Sequence, residues 1–152
     1  MQSNGGGANT WVNPTNALYN SSTSVNSTSA LVISQANGVI PIPGLSNSFT
    51  LSGNAKVMVS FTLPMSTFFC SFCVASNVRI YIRSNGGAVG VYNTTVANGA
   101  LGLISGSNLL SLGPGSYTLD IAANVTSGPD CFFYANDGSF GSCNMIVQVI
   151  RQ

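Results

Sequence analysis

An all-β fold, an antiparallel β-sandwich of about eight strands built as a Greek key or jelly roll, is what this sequence predicts. Three observations carry that prediction. Several segments alternate apolar and polar residues with the period of two that marks a strand buried on one face. Gly, Pro and Asn punctuate the chain at a spacing of roughly 8–15 residues, as the joints of such a sandwich do. No stretch shows helical periodicity. At 152 residues the chain is one domain by length and can bury a core without help.

The clearest pattern is residues 109–125, LLSLGPGSYTLDIAANV. It reads as a hairpin whose strands are joined by Gly113-Pro114-Gly115, since proline presets φ and glycine accepts the positive φ of tight turns. Tyr117, Leu119, Ile121, Ala123 and Val125 share one face, and Ser116, Thr118, Asp120 and Asn124 the other.

In chain order, residues 1–28 are a polar arm and 29–152 the sandwich domain. The arm is Asn, Ser, Thr and Gly with isolated Trp11, Val12, Leu18 and Tyr19. Trp11 and Tyr19 are candidate assembly contacts; the alternative is a free tail with a stray tryptophan. Leu31, Val32 and Ile33 form a strand that Asn37-Gly38 ends. Pro41 and Pro43 restrict residues 39–45 to a sheet edge or an extended crossing, because proline donates no ladder hydrogen bond. Phe49 and Leu51 suggest a short strand before the Gly53-Asn54 turn. In residues 56–63, Val57, Val59, Phe61 and Leu63 point inward, with Lys56, Ser60 and Thr62 outward. Residues 64–76 read as a loop. Val78, Ile80 and Ile82 then alternate with Arg79, Tyr81 and Arg83 up to the hairpin signal Asn85-Gly86-Gly87. Residues 90–104 supply one or two further strands. Residues 127–143 read as a second long loop, and 145–150 as a closing strand whose unbroken apolar run predicts burial on both faces.

Composition excludes more than it assigns. The formal net charge is +1, and only 5% of residues are charged, so no long-range field favours nucleic acid or an anionic membrane. No apolar run approaches the roughly 18 residues of a membrane span. A near-neutral, charge-poor surface associates readily, which predicts an assembly subunit. The polar, glycine-rich start has no signal-peptide pattern. The expectation is either a signal removed beforehand or assembly inside a cell followed by export within a particle.

There is no histidine, which removes serine triads, Cys-His dyads and histidine-held metals. The side-chain carboxylates are Asp120, Asp130 and Asp137. Asp130 and Asp137 could be drawn as a hydrolase pair, but both sit at turn signals, where aspartate serves backbone hydrogen bonding. Three scattered carboxylates are a poor calcium set. No catalytic residue, cofactor or metal site is assigned. Sequons occur at Asn20, Asn26, Asn93 and Asn124, about as many as chance gives in a chain so rich in Asn, Ser and Thr.

The four cysteines are Cys70, Cys73, Cys131 and Cys143. The Cys70/Cys73 spacing is that of a redox or zinc half-site, yet neither the helix nor the further ligands those need are present. Structural disulfides are preferred over free buried thiols, with the pairing open. The two cysteine-flanked loops carry Phe68, Phe69 and Phe72, and Phe132, Phe133, Tyr134 and Asp137. These are candidate binding-loop residues; the simpler reading is that the phenylalanines cap the core or an oligomer contact.

Residues 78–83, 85–87, 105–112, 113–115, 116–125, 132–134 and 145–150 run as strand, glycine turn, small-residue strand, Pro-Gly hairpin, strand, aromatic loop and closing strand. In that order they resemble the C1q/TNF-like jelly roll. Similar Pro-Gly-x-Tyr hairpins occur in trimeric tips of phage and viral fibres and in bacterial surface proteins. The resemblance covers about half of the chain and lacks that family's aromatic core landmarks and charged calcium-binding loops. It implies a homotrimer with one sheet of each subunit around a three-fold axis.

The function expected is a non-enzymatic structural subunit of a virion or extracellular assembly (a capsid-surface, spike or fibre-tip protein), with itself and other virion or surface proteins as partners and a role in host attachment. The alternative is a lectin-like module binding a glycan or receptor at a bacterial or archaeal cell surface.

Overall fold

The computed structural model describes residues 2–3, 9–10, 21–68, 75–135 and 140–151. A short antiparallel pair, β1 (Gln2–Ser3) and β2 (Asn9–Thr10), precedes the main body. Then follow β3 (Ser21–Asn26), β4 (Leu31–Ile33), a single 3-10 turn η1 (Gln35–Asn37), β5 (Ile40–Leu51), β6 (Ala55–Thr67), β7 (Ala75–Ser84) and β8 (Gly87–Ala97). The chain closes with β9 (Leu101–Leu112), β10 (Gly115–Ser127), β11 (Cys131–Phe133) and β12 (Asn144–Arg151).

Ten of these strands make two antiparallel sheets, one of four strands in the order β5-β10-β7-β8 and one of six. The six-stranded sheet is centred on β6. β9 runs along one side of it, while β12 and then β11 share the other, continued outward by β3 and β4. Successive long strands move between or across the two layers, and the last strand lies inside the sheet beside the first. The fold is a jelly roll.

The alternating segments fill the space between the layers. Val57, Val59, Phe61 and Leu63 of β6 face Val78, Ile80 and Ile82 of β7 and Leu119, Ile121, Ala123 and Val125 of β10, all buried. Asn85 and Gly86 take φ of 50° and 82°, the two positive values that a two-residue turn needs to match the strand twist. Pro41 and Pro43 lie on β5, which pairs only with β10 and is therefore an edge.

Five local expectations are corrected. Residues 109–125 are not a hairpin. Leu112 pairs with Ala55 in the six-stranded sheet, and Gly115 pairs with Leu51 in the four-stranded one. The Gly-Pro-Gly link crosses between layers, which lets Leu110 and Leu119 reach the same core from opposite sides. The segment 64–76 is strand as far as Thr67, because β11 takes over as partner of β6 at Met65 where β12 has ended. Pro64 sits at that change of partner. The segment 127–143 contains β11, and Phe133 is core. β12 buries one face only: Met145, Val147 and Val149 are inside, while Ile146, Gln148 and Ile150 are half-buried. Finally, 21–26, read as arm, is a strand on β12.

Candidate assembly face

The outer face of the six-stranded sheet is set by the inner positions of β9. A Cβ on Gly106 would stand 2.7 Å from the Tyr92 ring and 2.8 Å from Phe61, and one on Gly102 would stand 3.2 Å from both Val96 methyls. Side chains from neighbouring strands already fill those two places, so two of the inward positions of β9, 102 and 106, take glycine, while Ile104 and Leu110 face the core between and beyond them. Alternation then sends Leu101, Leu103 and Leu109 outward, 55%, 69% and 57% exposed.

Register extends this patch sideways. Leu101 pairs with Ser66, Ser66 with Phe132, and Phe132 with Val32, so one row crosses four strands. Aromatic rings continue it. Phe68 meets Phe132 edge-on with centroids 6.5 Å apart, Phe132 meets Tyr134 at 4.8 Å, and Tyr134 meets Phe140 at 5.0 Å. The Tyr134 hydroxyl donates to Ser66 Oγ at 2.9 Å, and its backbone N–H donates to the Pro64 carbonyl at 3.2 Å. Between the rings and β9 lies a shallow groove of about 390 Å³ lined by Pro64, Leu101, Leu103, Tyr134 and Phe140.

The structure thus brings Phe68, Phe132 and Tyr134 together from the two loops named by the sequence. Phe133 points the other way, into the core at 1% exposure, and cannot touch a ligand. Phe69, Cys70, Phe72, Cys73, Asp137, Trp11 and Tyr19 lie outside the described residues. The β9 leucines and Val32 were missed by sequence reasoning. The usable signal was Leu-Gly-Leu at 101–103, where the small residue alternates with the large ones.

Behind the aromatic row sit Cys131 and Cys143. A disulfide between them is not formed: both are free, buried thiols. Burial pushes the Cys143 thiol up from 9.0 to about 12, against hydrogen bonding to backbone groups. Burial also raises the Cys131 thiol, and a hydrogen bond with Ser76 partly offsets it. These are packing groups, with thiolate strongly disfavoured. Among the described residues no three of His, Cys, Asp and Glu gather as a metal set, and no helix is long and apolar enough to cross a membrane.

The outer face of the four-stranded sheet is different in kind. Arg83 holds Asp120 through two bonds of 2.7 and 2.8 Å, and this pairing raises the Arg83 pKa. Arg79 Nε donates to Asn93 Oδ1, and hydroxyl pairs link Ser48 with Thr118 and Thr50 with Ser116. Six of the nine large exposed hydrophobics among the described residues (Val32, Phe68, Leu101, Leu103, Leu109 and Phe140) belong to the opposite face. The four-stranded outer face is polar and hydrogen-bonded, while the six-stranded one carries an apolar patch around Leu101, Leu103 and Phe140 beside polar side chains such as Lys56, which donates to Ser111, and Asn144, which donates to Ser24 and Asn26.

No protein-family model and no curated protein matches the chain by sequence. Among solved structures it is similar to the globular domain of zebrafish complement 1qA, at 11% identity and a TM-score of 0.43, covering 86% of this chain and 98% of that one. It is also similar to infectious bursal disease virus Gt strain, at 12% identity and a TM-score of 0.41, covering 86% of this chain and 37% of that one. A CocE/NonD family hydrolase from Staphylococcus aureus is similar at 10% identity and a TM-score of 0.44, over 88% of this chain and 34% of that one.

Proposed function

We propose that this chain is a non-enzymatic structural subunit of a virion or extracellular assembly, of the capsid-surface, spike or fibre-tip kind. In that assembly, a homotrimer or larger, the outer face of the six-stranded sheet is buried against other copies. The observation that carries the reading is the asymmetry of the two faces. Contiguous apolar surface on a soluble protein marks an interaction site, and interface cores are depleted in charge and enriched in aromatic residues. The face centred on Leu103 and the aromatic row has that composition, with Lys56 the charged residue of its outward β6 positions. Trp11 and Tyr19 of the arm are proposed as further contacts between subunits.

Sedimentation of the full chain over a concentration series tests this. A trimer or larger species is expected at micromolar concentration. A monomer that persists at high concentration would remove the reading.

A further inference from the structure

We infer that Arg79 and the amide and hydroxyl groups beside it form a binding site for a carboxylate-bearing saccharide on the outer face of the four-stranded sheet. The inference does not depend on the assembly reading, because the site lies on the opposite layer and stays open when the apolar face is covered.

Charge accounting singles out Arg79. Arg83 is neutralised by Asp120, and that is the one ion pair among the described residues. Arg79 is exposed and has no carboxylate partner there. It is nonetheless fixed: its Nε donates to Asn93 Oδ1 at 2.9 Å, directly across the β7–β8 register. One edge of the guanidinium is used for positioning, and the terminal amino groups have no acceptor among the described residues. Such a planar fork matches a carboxylate in bidentate fashion.

Asn93, the residue that holds Arg79, also lines a cleft of about 530 Å³ together with Asn77, Val78, Thr94, Thr95 and Thr126, a size in the range of small-ligand sites. Its polar groups are held in place. Thr95 Oγ1 donates to Asn77 Oδ1 at 2.8 Å, Asn77 Nδ2 to Ser127 Oγ at 2.7 Å, and Thr126 Oγ1 to the Asn77 carbonyl at 3.1 Å. The lining is uncharged, with both donors and acceptors, which suits sugar hydroxyls. One cation suits a monoanionic carboxylate better than a phosphate dianion.

The test is an amide-NMR titration of the full chain with 3′-sialyllactose, with a hyaluronan tetrasaccharide as a uronate source, and with lactose as the neutral control. One or both acidic sugars should shift the amides of Asn77, Asn93, Thr95 and Thr126, the tighter binder identifying the source, while lactose shifts none. Arg79→Gln should weaken binding by about tenfold or more, as expected for a charge-assisted bidentate pair. Arg79→Lys should weaken it less, and Lys56→Gln on the other face should leave it unchanged. Each variant is checked by its melt. The inference is overturned by silence with both acidic sugars, by an equal response to lactose, by shifts mapping elsewhere, or by Arg79→Gln binding like the parent.

Discussion

Gly106 and Leu103 lie three residues apart on β9 and face opposite ways, and together they decide what that strand presents to solvent. Because Tyr92 and Phe61 pack on Gly106, with ring centroids 5.0 Å apart in a T-shaped pair, no side chain fits there. Gly106→Ala should therefore cost about 1–3 kcal/mol of stability through overpacking, read as a lower denaturant midpoint with an unchanged slope. The Tyr92 hydroxyl bond to the Ser107 carbonyl, 2.6 Å long, would be strained by the same change. Cys143 makes a pH-dependent contribution. Its thiol ionises at about 12 when folded against 9.0 ordinarily, so above pH 9 the unfolded chain gives up a proton that the native state keeps. The resulting stability is complete below pH 9 and is lost between pH 9 and about 12. Melts across that range should show Cys143→Ala losing less stability than the parent. Neither Cys131 nor Cys143 should be alkylated at pH 8 in the native protein, and both should be on denaturation, as seen by peptide mapping.

At the level of elements, what was legible in the sequence was whatever local chemistry alone dictates. The alternation in β6, β7 and β10 named the buried residues correctly, because period two fixes the face once a strand exists. The Asn85-Gly86 turn and the edge position of Pro41 and Pro43 followed from φ and from the missing N–H. What could not be read were pairings made at long range. Gly113-Pro114-Gly115 has the chemistry of a hairpin turn, but whether the flanking strands pair depends on β5 and β6, far away in sequence. β11 is only three residues long and is held by β4 and β6, so its own sequence carries little strand signal. The candidate face was half legible: Phe68, Phe132 and Tyr134 were named, whereas Leu101, Leu103 and Leu109 were read only as parts of strands with no face assigned. β3 offers a test at this scale. Removing residues 1–20 should leave the cooperative melt in place. Removing 1–26 also deletes β3, strips Asn144 of its bonds to Ser24, Val25 and Asn26, and turns β12 into an open edge. The longer deletion should melt lower and aggregate.

Over the whole molecule, the division between a hydrogen-bonded face and an apolar one is the feature from which the functional reading grows. A chain with so little charge cannot keep itself apart by repulsion, and in the proposed assembly the exposed leucines and rings described on the six-stranded layer make that layer the one that associates. The other layer carries Arg79, Arg83 and hydrogen-bonded Asn and Thr side chains. The most direct test is a matched pair of surface charges. Leu103→Asp places a carboxylate in the centre of the apolar face, and Val91→Asp places one on the four-stranded layer, where Val91 is 50% exposed. Val91→Asp, on the open layer, should keep the parent's melt to within about 0.5 kcal/mol, whereas Leu103→Asp should still melt cooperatively but lower, by the stability that subunit contacts add. Sedimentation velocity of the two against the parent then decides: Leu103→Asp should fall to monomer while Val91→Asp assembles normally, and a Leu103→Asp protein that assembles like the parent, or a Val91→Asp protein that dissociates instead, would overturn the assignment of the apolar face.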